Sequence, residues 1–120
     1  MKRILLVEDE EDLAETGKIF LEEAGYEVDI AFDGLEAMEK VYNSRYDLVL
    51  LDITIPEMDG YQVLRMIKND PIYKDIPVIM VTARTLKADR FRAKETKADG
   101  YITKPYSPNE LISCIKSFMG

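Results

Sequence analysis

Apolar runs alternate with helical patterns along this chain in a regular order. Ile4-Leu5-Leu6-Val7, Leu48-Val49-Leu50-Leu51 and Val78-Ile79-Met80-Val81 are apolar at every position, the pattern of strands covered on both faces. Val28 to Phe32 and the short Gly100-Tyr101-Ile102 read as two weaker strands. Between them, Leu13, Gly17, Phe20, Leu21 and Ala24 recur at helical spacing and predict a helix that stops at Gly25. Leu35, Met38, Val41 and Tyr42 form a second such face, and Val63, Leu64 and Ile67 a third before Pro71. A fourth segment, from about Leu86 to Thr96, has only Leu86 and Phe91 as large apolar residues among many charges and reads as a helix loosely held by burial. Leu111, Ile112, Ile115, Phe118 and Met119 make the fifth. Five strands alternating with five helices predict an α/β fold: one domain over residues 1–120, with a doubly wound five-stranded parallel sheet and right-handed crossovers.

Composition narrows the chemistry. A chain of 120 residues buries roughly two-thirds of its unfolded surface, enough for a core without disulfides or structural metal. It has no histidine, which removes histidine general bases, histidine-ligated zinc or haem, and a phosphohistidine carrier role. A single cysteine leaves no intrachain disulfide and no CxxC site. The formal net charge of −7 disfavours direct nucleic-acid binding and suits hard cations. The apolar run after Met1-Lys2-Arg3 is too short for a signal peptide or a membrane span, so a soluble, cytoplasmic protein is expected.

In a doubly wound sheet the site lies beyond the carboxyl ends of the strands. After Val7 come Glu8, Asp9, Glu10, Glu11 and Asp12. The last three read as a solvated helix start, with Asp12 and Glu15 at capping-box spacing, whereas Glu8 and Asp9 sit at the strand end itself. Asp52 closes the third strand. If the first and third strands are neighbours, three carboxylates meet and repel unless protonated or bridged by a cation. Oxygen ligands without histidine or cysteine point to Mg2+. The fourth strand ends in Thr82-Ala83, and the fifth is followed by Thr103-Lys104-Pro105, where a cis Lys104–Pro105 peptide is an option. Thr82 offers a hydroxyl donor and Lys104 an ammonium for anionic oxygens. A carboxylate nucleophile, a divalent cation, a hydroxyl and an ammonium are the parts that phosphoryl transfer uses, and the product would be an aspartyl phosphate on Asp52.

The whole chain resembles the receiver domain of bacterial two-component response regulators, the chemotaxis-regulator type. The likeness is carried by Ile4 through Asp9, Asp47 through Asp52, Pro56-Glu57-Met58-Asp59-Gly60, Val81-Thr82-Ala83 and Ala98 through Pro105. It implies a flavodoxin-like sheet in the order 2-1-3-4-5. It also implies Asp52 as phosphoacceptor, Asp9 as a direct Mg2+ ligand, Glu8 acting through water, and the backbone carbonyl of Thr54 as a further ligand. Thr82 and Lys104 would contact the phosphoryl group, and Tyr101 would be the switch aromatic. The fourth helix, fifth strand and fifth helix would form the signalling face. A histidine kinase or histidine phosphotransfer protein would donate the phosphoryl group, and the domain would act as a switch, not as a conventional enzyme. Two departures stand out: Glu8 where the family often has Asp, and Lys97 where it often has Gly. Thr54 and Arg84 occupy the positions that tune dephosphorylation in the family.

Rival readings are weaker. A flavodoxin-type carrier would place a phosphate against five consecutive acids. A phosphatase of the haloacid dehalogenase type needs a second Asp two residues after its nucleophile, and position 54 is Thr. A receiver fragment of a larger regulator or hybrid kinase would have the same chemistry with a different output. Cys114 flanks the apolar stripe of the last helix and reads as a small buried hydrophobe.

Overall fold

The computed structural model describes residues 1–53, 60–83 and 98–119. Its elements are β1 (Arg3–Val7), α1 (Glu11–Glu23), β2 (Glu27–Ala31), α2 (Gly34–Asn43), β3 (Leu48–Asp52), α3 (Gly60–Lys68), β4 (Val78–Ala83), β5 (Gly100–Lys104) and a C-terminal helix (Pro108–Met119). The strands form one parallel sheet in the order β2-β1-β3-β4-β5, the expected doubly wound arrangement. The expected helix over Leu86 to Thr96 lies outside the described residues, as do Thr54 and Arg84.

Strand alternation divides the core into two layers. Leu5, Val7, Val49, Leu51, Val78 and Met80 face one layer with Met38 and Val41 of α2 and Val63, Leu64 and Ile67 of α3. Ile4, Leu6, Leu48, Leu50, Ile79 and Val81 face the other with Leu21 of α1 and Leu111 and Ile115 of the C-terminal helix. Both sides of β1, β3 and β4 are therefore buried, which is why those strands read as unbroken apolar runs.

The first two helices bury part of the faces expected of them, Gly17 and Leu21 in α1 and Met38 and Val41 in α2, but turn the rest toward smaller residues. In α1 the buried residues are Ala14, Gly17 and Leu21, while Leu13 is 47% exposed. In α2 Gly34, Ala37, Met38 and Val41 are buried, whereas Leu35 and Tyr42 face solvent. Small residues turn inward because the helices approach the sheet closely: a methyl group on Gly17 would lie 3.2 Å from Cδ2 of Leu6. Nor does α1 use a capping box at Asp12, since its N-cap is Glu10 without a side-chain bond. The reciprocal box forms instead at the C-terminal helix, where the Glu110 amide donates to Ser107 Oγ (3.1 Å) and the Ser107 amide to Glu110 Oε1 (3.2 Å). Helix α1 ends as expected at Gly25, whose φ of 99° suits glycine.

Candidate functional site

The same alternation gathers the site. Positions 4, 6 and 8 of the first strand and its extension, 48, 50 and 52 of β3, and 102 and 104 of β5 share the parity that faces α1 and the C-terminal helix. The register Val7↔Leu51 sets Glu8 beside Asp52. Strand β4 lies between β3 and β5, so a side chain on β5 must bridge ~10 Å of sheet to reach β3. Lysine has that reach. Its Nζ donates to Asp52 Oδ2 at 2.7 Å and to Glu8 Oε1 at 2.9 Å. The other oxygen of Glu8, Oε2, accepts from the Glu10 amide at 3.3 Å, so the turn after β1 holds that carboxylate from its own backbone.

Glu8 and Asp52 are each 5% exposed and are the buried charged residues among those described. Burial raises the Glu8 pKa, with the Asp52 charge adding to it, against the lowering effect of the Lys104 hydrogen bond. Burial pulls the Lys104 pKa down, but hydrogen bonds and charge from Asp52 and Glu8 outweigh that and hold it above the ordinary lysine value. The ammonium is thus firmly protonated, and one positive charge faces more than one carboxylate.

Asp9, exposed at the rim, completes the acidic group: Glu8, Asp9 and Asp52 each offer an oxygen within 4.8 Å of the others. This donor set fits a hard divalent cation. It is all oxygen, it carries surplus negative charge, and Asp9 remains open to solvent for a hydrated ion. An apolar groove of about 430 Å³ opens beside it, lined by Leu13, Gly17, Phe20, Pro105 and Tyr106, with Lys104 as its charged wall.

The structure thus brings together Glu8, Asp9, Asp52 and Lys104. Thr82 is on β4, paired with Thr103 one step beyond the Asp52↔Val81 pair. Tyr101 is half-buried on β5, packed against the α2/α3 layer and on the opposite parity from Lys104. The Lys104–Pro105 peptide is cis. Two residues near the site have no functional part in the sequence reading. Tyr106 lines the groove, and its raised pKa arises from burial first and then from the opposing charges of Lys104 and of Glu8 and Asp52. Its place two residues after Lys104 was the available signal. Gly60 opens α3 directly against the end of β3: its amide donates to the Ile53 carbonyl at 3.0 Å, and an added Cβ would lie 2.7 Å from the Asp52 carbonyl oxygen. Cys114 is half-buried on the C-terminal helix, away from the carboxylates in sequence, and burial raises its thiol pKa.

A doubly wound flavodoxin-like sheet thus carries paired carboxylates and an ammonium at its carboxyl edge, where folds of this class place their sites. The family description "response regulator receiver domain" matches residues 4–116, and the chain belongs to that family, whose members act in two-component signal transduction. The phosphate regulon transcriptional regulatory protein PhoB of Klebsiella pneumoniae is 42% identical over 118 residues, covering 98% of this chain and 52% of that protein. The chain spans about half the length of the curated relatives it matches. The receiver domain of a signal transduction histidine kinase from Syntrophus aciditrophicus superimposes with a TM-score of 0.93 at 39% identity, covering 99% of this chain and 90% of that one. The receiver domain of the sensor histidine kinase PA1611 from Pseudomonas aeruginosa PAO1 does so with a TM-score of 0.91 at 31% identity, covering 99% and 98%. That structure holds a magnesium ion coordinated in its active site cleft. Among the described residues no helix is long and apolar enough to cross a membrane.

Proposed function

We propose that residues 1–120 form one receiver domain that accepts a phosphoryl group on Asp52 and changes its affinity for a protein partner in response. The observation that carries this reading is the burial of Asp52 beside Glu8 with Lys104 Nζ 2.7 Å from its Oδ2. A carboxylate so placed is aimed, and it has a counter-charge ready for a phosphoryl oxygen. In the transfer, an Asp52 oxygen forms the bond to phosphorus while the bond from phosphorus to the donor nitrogen breaks, and the electron pair leaves with the donor imidazole. The donor histidine must belong to another molecule or domain, because this chain has none. A histidine kinase or histidine phosphotransfer protein fits that need.

Glu8, Asp9 and Asp52 would hold Mg2+, with the Thr54 carbonyl as a further ligand, and the ion would supply charge neutralisation for the incoming phosphoryl group. Lys104 would then engage a phosphoryl oxygen, Thr82 would donate a hydrogen bond to another, and Tyr101 would report the change. The output surface would comprise the Leu86 to Thr96 segment, β5 and the C-terminal helix, in a protein working in the cytoplasm without direct nucleic-acid contact.

Incubation with a small phosphodonor and Mg2+, followed by intact mass measurement, tests the reading. The wild type should gain one phosphoryl group and Asp52→Asn none; no gain, or an equal gain in both, overturns it. The length of the relatives favours a second reading of the output, in which this chain is the receiver part of a longer regulator or hybrid kinase. The mass of the native protein in its source cells decides between the two.

A further inference from the structure

The start of β5 is gripped from both faces of the sheet, at the edge opposite to Asp52. On one face an added Cβ at Gly100 would lie 2.7 Å from Cζ of Phe118, so a ring of the C-terminal helix covers that position. On the other, Asp99 engages both backbone groups of Val78: its amide donates to the carbonyl at 3.0 Å, and its Oδ2 accepts from the amide at 2.8 Å. The same Oδ2 pairs with the ammonium of Lys68, the last residue of α3, whose side chain is 11% exposed. That ammonium also donates to the Lys74 and Ile76 carbonyls at 3.0 and 2.8 Å, in the turn that leads into β4. Three acceptors match the three protons of an ammonium. One sheltered cation therefore fastens the end of α3, the approach to β4 and the approach to β5 at a single point.

What β5 lacks gives this point its use. All five residues of the strand are half-buried and the first has no side chain, so burial alone specifies its register weakly. Register nevertheless aims the other end, because the pairing from Ile79↔Gly100 to Ala83↔Lys104 is what brings Lys104 to Asp52. A slip of one residue would turn Lys104 to the α2/α3 face, and a slip of two would carry it ~6.6 Å along the strand, out of hydrogen-bond range. We propose that Lys68 is the register lock of β5: a positioning residue that holds Asp99 on Val78, sets the strand against β4, and so aims Lys104 from the opposite edge of the sheet. This rests on the reading of Asp52 as phosphoacceptor. Lys68 touches none of the reacting groups; it acts through Asp99 and the strand that follows.

The test compares Lys68→Met, which keeps an apolar stem and removes the ammonium, with Lys68→Arg, which returns a cation with several donors. Val41→Ala is the control for general loss of stability, a truncation of a fully buried residue in α2, which packs on β1 and β2. Two quantities are measured under conditions where each protein is folded: phosphoryl uptake from a small donor with Mg2+, timed by intact mass, and amide exchange resolved by strand. Lys68→Met should take up the phosphoryl group about tenfold more slowly and exchange its β5 amides about tenfold faster relative to those of β1 and β3. Lys68→Arg should recover both, and Val41→Ala should show neither. Uptake by Lys68→Met at the wild-type rate, a slowing that Val41→Ala shares, unchanged relative exchange along β5, or no recovery in Lys68→Arg would each overturn the lock while the receiver reading stands. A wild type that takes up no phosphoryl group overturns both. If Lys68→Met does not fold, Asp99→Asn carries the same comparison, since its side-chain oxygen still accepts from the Val78 amide while the charge that Lys68 holds is gone.

Discussion

Gly60→Ala perturbs the site without touching a charged group. The added Cβ would stand 2.7 Å from the Asp52 carbonyl oxygen, 2.8 Å from Ile53 Cα and 3.1 Å from the Ile53 oxygen, all backbone atoms that no rotamer change can move aside. Reaching ordinary contact at 3.4 Å requires α3 and the end of β3 to separate by roughly 0.7 Å, the difference between 3.4 and 2.7 Å. Overpacking of this kind costs about 1–3 kcal/mol, and the better helix propensity of alanine returns at most about 1 kcal/mol. With the full return, the net loss of up to about 2 kcal/mol corresponds to a fall in Tm of up to about 8 °C for a domain of this size. Because the displaced peptide carries Asp52, phosphoryl uptake from a small donor should also slow by about tenfold or more. Gly17→Ala is the control, since its Cβ meets only the tip of Leu6 at 3.2 Å and should cost less. Thermal melts and timed mass measurements on both variants give the answer. A Gly60→Ala protein that melts with the wild type and is phosphorylated at the same rate would refute the reasoning.

Three further outcomes are expected. Mg2+ at ten times its Kd should stabilise the fold by about 1.4 kcal/mol; a melt should show this as a rise in Tm, and Asp9→Asn should remove most of it. Tyr46 donates to Asp29 Oδ2 at 2.8 Å beneath the Arg3 guanidinium, and burial first, then Asp29, push its pKa up to about 12. Because the folded pKa exceeds the ordinary value of 10, its stabilising contribution is complete below pH 10 and is lost as pH rises through about 12. Tyrosinate absorbance should show a late-titrating group that Tyr46→Phe abolishes. Lys68 is 11% exposed; its ammonium pairs with Asp99 and donates to the Lys74 and Ile76 carbonyls at 3.0 and 2.8 Å. Lys68→Met leaves those oxygens without their cation and should cost about 2 kcal/mol by urea unfolding; an unchanged midpoint would show that the clamp is dispensable.

The strands were legible because burial on both faces leaves an unbroken apolar signature, and the acids and lysine at their ends, Glu8, Asp9, Asp52 and Lys104, are the residues the fold brings together. Helix orientation was less legible in α1 and α2. Large residues such as Leu13 and Leu35 dominate a helical wheel, but close approach to the sheet selects Ala14, Gly17, Gly34 and Ala37 for the interior. The acidic run suggested a cap at Asp12, yet the turn after β1 spends its backbone amide on Glu8. The Glu8–Lys104 and Lys68–Asp99 pairs join residues far apart in sequence, and no local pattern announces either.

Lys104 reaches Asp52 by passing over β4, and the strand that carries it is an edge of the sheet. All five residues of β5 are half-buried, whereas β3 is buried throughout, so that margin is less enclosed than the middle of the sheet. The lysine therefore acts as a tether, tying a partly exposed edge to the charge state of a residue two strands away. Added negative charge on Asp52 would draw the tether tighter and slow amide exchange along β5. Conversion of Asp52 to asparagine would slacken it, so the sheet margin would register chemistry that occurs at its centre.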